Sequence, residues 1–295
     1  MAARYTHWLA ATGDLSSRLH PVLMIYGFFP FFIFGFVFTA GPRWLQVPAP
    51  ATRDYLLAGG GMGVAFLSLF ATMFSGDAGV ALSLSLYFIC AMMLWWRFSQ
   101  LLGRSRVPDK VHARLLQVSL AVGGIALLVA IGGVAGGRDW RGIVRSAGLW
   151  GFLVPLFCTV CHRMLPFFTA SALDGRFMWR PWWLLGVLIG GSWLHGLLEI
   201  AGLSHWLWLI DGPMALACLH LTWRWGLMQS LSNRLLAMLH LSFVWLAIGY
   251  ALSFVQAQAA FAGTNILGLG PLHAISIGFL ASLAIAMVTR VTCGH

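Results

Sequence analysis

The sequence predicts an all-α fold: a polytopic transmembrane helix bundle of about nine membrane-spanning helices. Three observations predict it. Hydrophobic residues make up 60% of the chain and charged residues only 9%, where a soluble domain is about a quarter charged. The apolar residues fall in continuous runs of about 20, the length a bilayer core requires. These runs do not alternate with polar residues, which excludes a transmembrane β-barrel. The same composition excludes a soluble enzyme, a disordered chain and a disulfide scaffold.

In order, the apolar segments are 21–41, 55–74, 77–96, 115–135, 145–166, 182–203, 205–223, 235–256 and 269–290. The link between the sixth and seventh is short, and Asp211 sits near the start of the seventh. Residues 1–20 read as a short N-terminal tail, and 21–295 as a single transmembrane domain. The tail lacks an apolar stretch followed by a small-residue cleavage site, so the first spanning helix directs insertion. Gly59-Gly60-Gly61, Gly132-Gly133 and Gly136-Gly137 fall inside predicted helices, where small residues let helices approach closely.

The chain carries 18 Lys plus Arg against 8 Asp plus Glu, a net charge of +10. Nearly all the basic residues lie between apolar segments, which indicates membrane orientation and no nucleic acid. Numbering the tail as connection zero, odd connections hold 13 of these residues and even ones 5. The bias places odd connections in the cytoplasm and the N-terminus on the periplasmic side.

Histidine carries the functional signal: there are ten. His7 lies in the tail and His112 in a basic loop. The other eight lie in or beside membrane segments, where an ionisable side chain is costly. By depth, His20, His205 and His273 stand at outer helix ends. His162, His220, His240 and His295 stand near inner ends, and His195 is roughly mid-membrane. His220 and His240 share a level on consecutive antiparallel helices, so His220 joins the candidate cofactor ligands. His273 and His295 are about 33 Å apart along one helix and cannot share a metal. Two sites, one near each face, follow more easily than one.

Histidines from several helices suit haem iron or copper. Glu199, four residues after His195, shares its helix face, and the two form a proton relay, a ligand-orienting pair or a satisfied structural pair. Cys158-Thr159-Val160-Cys161-His162 matches the C-x-x-C-H pattern of c-type haem attachment. It falls late in a helix near the predicted inner face, so two buried cysteines is the better reading. The five cysteines imply no disulfide framework.

Three stretches read together. They are Arg163-Met164-Leu165-Pro166-Phe167-Phe168-Thr169, Leu239-His240-Leu241, and Leu272-His273-Ala274 with its helix ending Met287-Val288-Thr289-Arg290-Val291-Thr292-Cys293-Gly294-His295. They resemble the signature stretches of the NnrS family, bacterial inner-membrane proteins that contain haem and copper and are linked to nitric oxide. The resemblance implies haem b and copper as cofactors. It implies His20, His240, His273 and His295 as metal or haem ligands, and Arg163 and Arg290 as polar anchors able to hold a propionate. The family's first block, H-A-H-E-M, is here His20-Pro21-Val22-Leu23-Met24, so a second His and a Glu are replaced. Family members are longer, so the chain reads as a short or truncated member.

Three functions compete. The first is a haem- and copper-containing membrane protein of the nitric-oxide stress response, binding or processing nitric oxide at a buried metal, with an electron donor if the gas is turned over. The second is a b-type cytochrome with both axial positions filled. The third is a metal or solute transporter, whose candidate helix break is Asp211-Gly212-Pro213.

Overall fold

The computed structural model describes residues 13–72, 76–173 and 178–293, with side chains from 19 onward. Most of the described residues are helical, and none lies in a strand. The chain divides into two compact units, Met1–Leu153 and Val154–His295.

The first unit contains α1 (Gly13–Tyr26), α2 (Phe29–Leu45), α3 (Thr52–Thr72), α4 (Asp77–Arg104), α5 (Val111–Gly136) and α6 (Arg141–Ser146), which runs into a π-helical turn over Ala147–Leu153. Helix α1 begins inside the expected tail. Glycine in the left-handed region closes α5, where Gly137 has φ +63°. Two tyrosines knit the interior. The Tyr26 hydroxyl donates to the Gly123 carbonyl at 2.6 Å, and the Tyr87 hydroxyl donates to the Tyr26 carbonyl at 2.6 Å. Buried hydroxyls need such partners. His112 is not in a loop: it lies in the first turn of α5, buried, with its ring 6.3 Å from that of Trp44.

The glycine runs act unequally. A Cβ on Gly61 would stand 2.9 Å from the Cys90 sulfur, and one on Gly133 would stand 2.7 Å from the Trp140 Cβ. Gly59, Gly60, Gly132 and Gly136 face open space. Gly133→Ala should therefore cost about 1–3 kcal/mol by overpacking. Gly132→Ala should gain a few tenths to about 1 kcal/mol from helix propensity. Thermal unfolding in detergent separates the two, and equal shifts would contradict close packing at Gly133.

The second unit contains α7 (Val154–Ala172), α8 (Trp182–Ile200), a 3₁₀ turn (Ser204–Trp206), α9 (Trp208–Trp225), α10 (Leu227–Ser230), α11 (Arg234–Phe261), α12 (Gly270–His273), a π-helical stretch (Ala274–Ala281) and α13 (Ser282–Cys293). The Asn233 side chain caps α11 by accepting from the Leu236 N–H at 3.2 Å. Helix α11 is the central post and packs on α7, α9, α13 and the π-helical stretch. Small residues permit the closest approaches: the Ile275 side chain presses on Gly249, and a Cβ on Gly278 would stand 2.6 Å from the Trp245 ring.

Among the described residues, eight helical stretches are long and apolar enough to cross a membrane. They match eight of the nine expected segments. The expected segment 205–223 forms α9, 18 residues long, but Asp211, His220 and Arg224 dilute its apolar character. It packs on α8 through a short link, so an α8 that crosses brings α9 back across. Its length of about 27 Å is close to the bilayer core. Asp211-Gly212-Pro213 lies within continuous helix, so the break expected of a transporter is not there.

Candidate functional site

The second unit holds two polar clusters. The first begins at the end of α7. The Thr169 hydroxyl donates its one proton to the Leu165 carbonyl at 2.9 Å. It therefore accepts from the Nε2–H of His240, also at 2.9 Å. His240 is buried, and a neutral imidazole protonated at Nε2 keeps its lone pair on Nδ1. One residue earlier, the Phe168 ring lies under the Arg290 guanidinium, 5.4 Å from Cζ to the ring centroid, a cation–π contact. Residues 168 and 169 thus join α7, α11 and α13.

These contacts unite sequence stretches that are far apart in the chain. The family model described as NnrS protein matches residues 1–295, the whole chain. The chain belongs to the NnrS family. No curated protein and no solved structure matches it.

The other candidate residues of this NnrS family member are placed as follows. His273, at the end of α12, donates from Nδ1 to the Leu269 carbonyl at 2.9 Å. Its ring is exposed, and its lone pair is on Nε2. A second hydrogen bond that fixes the tautomer is the usual support of a histidine ligand, and both His240 and His273 have one. His220 is exposed, with its ring 5.7 Å from Trp179 and 6.3 Å from Trp223. It shares a level with His240 but lies among surface aromatics. Arg163 and Arg290 are half-buried. His20 is exposed on α1, in the first unit. His7 and His295 lie outside the described residues. Among the described residues, no group of three or more His, Cys, Asp or Glu side chains is placed to hold a metal ion.

The C-x-x-C-H stretch sits inside α7, with Cys158, Cys161 and His162 all at 0% exposure. Thiols so enclosed are inaccessible to covalent attachment. His162 donates from Nε2 to the Pro181 carbonyl at 3.2 Å and packs against Trp182 and Trp225, which ties the chain entering α8 to α7.

The second cluster centres on His195, 2% exposed. Its Nδ1 is 2.7 Å from Asp211 Oδ1 on α9, and its Nε2 is 3.7 Å from Glu199 Oε1. The His195 ring is 6.3 Å from that of Tyr250, whose hydroxyl is 2.9 Å from the Ser192 hydroxyl. The sequence points to Asp211 and to the His195–Glu199 pair as hints of a proton route, but not to the shorter His195–Asp211 contact, nor to Thr169 or the Ser192–Tyr250 pair. A counting rule would have found the His195–Asp211 contact. Residues 195 and 211 are equidistant from residue 203, in the link between α8 and α9, and antiparallel neighbours equidistant from their link share a level.

Proposed function

We propose that this NnrS protein is a bacterial inner-membrane protein of the nitrosative-stress response that binds haem b through histidine and captures nitric oxide there. The observation that carries the reading is the Thr169–His240 hydrogen bond beside the Arg290–Phe168 contact. It supports a buried imidazole held in one tautomer, with a cation close by. Haem iron needs one or two protein ligands, because the porphyrin supplies four. A single supported histidine therefore suits haem, whereas a copper site of three protein ligands is not assembled among the described residues.

When bound, haem supplies an iron with an open position for nitric oxide. His240 through Nδ1, or His273 through Nε2, would hold the iron, and Arg163 and Arg290 would hold propionates. Nitric oxide is small and apolar and reaches such a site through the bilayer. The N-terminus is read as periplasmic, as the basic residues imply.

The test is the visible spectrum of the reduced, detergent-purified protein before and after nitric oxide, with a pyridine haemochrome assay. A b-type spectrum that shifts with the gas is expected. An unshifted b-type spectrum would replace this reading with an electron-transfer cytochrome, and a colourless protein would remove haem from it. Thr169→Val should lower haem affinity by about 10–100-fold, because the ring would lose its orienting partner. Thr169→Ser should restore it, and haem titration of the apoprotein measures both. Equal affinity in all three proteins would remove Thr169 from the site.

A further inference from the structure

We infer that Glu199, His195 and Asp211 form a proton entry route from the outer end of α8 into the interior of the second unit, with Asp211 as the buried acceptor. Nothing in this rests on bound haem.

The geometry favours a route over a metal site. The two carboxylates approach opposite nitrogens of one imidazole, Asp211 at Nδ1 and Glu199 at Nε2. The ring stands between them, so their oxygens do not converge on a common centre. An imidazole is the side chain able to take a proton at one nitrogen and release one from the other. Exposure falls along the series. The Glu199 side chain is 21% exposed, one residue before the end of α8. His195 is 2% exposed and Asp211 0%. Asp211 Oδ2 has no hydrogen-bond partner among the described residues. Burying a charged oxygen without a partner is costly. An orphan oxygen at the closed end of a graded series is where a proton would be received.

The step balances without any other reactant. Protonated Glu199 gives its proton to Nε2, and the Nδ1 proton passes to Asp211. Glu199 ends ionised, Asp211 ends neutral, and the imidazole changes from the Nδ1–H to the Nε2–H tautomer. Hydronium from the medium reprotonates Glu199, and when the pH is raised again the same transfers run backwards: Asp211 returns its proton to Nδ1, Nε2 returns one to Glu199, and Glu199 releases it to the medium. The 3.7 Å gap at Glu199 is the adjustable junction, since a glutamate side chain has several rotatable bonds. The titratable groups that face the cluster are Tyr250 on α11, within electrostatic reach of Asp211, and, beyond it, Cys158 on α7 and Cys218 on α9. Ser192 on α8 bonds the Tyr250 hydroxyl, so this hydroxyl pair is the next station inward.

The experiment is infrared difference spectroscopy of the full-length protein in lipid nanodiscs after a rapid drop in pH. The signal is the carbonyl stretch of a protonated carboxylic acid, assigned to Asp211 by its loss in Asp211→Asn. In the wild type the band should rise promptly. In Glu199→Gln, a mild change at a partly exposed site, it should rise at least about tenfold more slowly, the scale of losing a positioned acid–base group. His195→Phe should slow it further, and circular dichroism establishes that the variant is folded. A band that survives Asp211→Asn overturns Asp211 as the acceptor. A rise of unchanged rate in Glu199→Gln overturns the route. Neither readout involves haem, so this inference and the haem reading fail separately.

Discussion

Replacing His195 with alanine should destabilise the second unit by about 3–5 kcal/mol, the scale of leaving a buried carboxylate without its partner. The competing expectation is smaller. Hydrogen bonds between helices in membranes average about 0.6 kcal/mol and reach about 1.7, because the unfolded helices find other partners in the bilayer. Three facts decide for the larger figure. The Nδ1 contact is 2.7 Å, the length of a charge-assisted bond. Asp211 is wholly enclosed, and its second oxygen already lacks a partner. Loss of His195 would leave the first oxygen of this buried carboxyl without its imidazole as well. Asp211→Asn keeps an acceptor for Nδ1–H and should cost less, about 1–2 kcal/mol. The double variant His195→Ala with Asp211→Asn should cost less than the sum, as expected for contacting residues. Reversible unfolding in mixed micelles measures all three. A loss below about 1 kcal/mol for His195→Ala would mean a neutral, replaceable hydrogen bond.

Much of this architecture was legible because membrane helices are written in composition. An apolar run of about 20 residues has few foldings open to it, since the backbone must satisfy its own hydrogen bonds in lipid. The helices therefore fall where the runs are. The α8–α9 hairpin was harder to read because α9 carries Asp211, His220 and Arg224, and its length and partner restore it as an element where its hydropathy does not. The candidate site was legible by level but not by face. His220 and His240 are equidistant from residue 230 and share a depth, yet one is exposed and the other buried. Each residue turns a helix by about 100°, so depth says nothing of direction. The partners that fix a tautomer were less legible still. Thr169 reads as one more helix-end threonine until α11 brings His240 beside it.

His240→Ala should remove bound haem, and His273→Ala should not remove the same haem. His240 lies in the second turn of α11, and His273 follows its other end. The chain then turns back alongside α11, where Ile275 meets Gly249; Gly249 stands nine residues, about 14 Å of helix, beyond His240, and His273 lies farther along still, so the two imidazoles are on different levels. Bound at His240, haem would supply an iron able to bind nitric oxide. The expected result is a haemochrome yield near zero for His240→Ala and near wild type for His220→Ala, whose ring packs on Trp179 and Trp223. His240→Gly should regain its spectrum when imidazole is added, because the small ligand occupies the vacated volume while Thr169 remains to orient it. Full haem in His240→Ala together with loss in His273→Ala would move the iron to His273, and would leave the Thr169 hydrogen bond as a structural tie between α7 and α11.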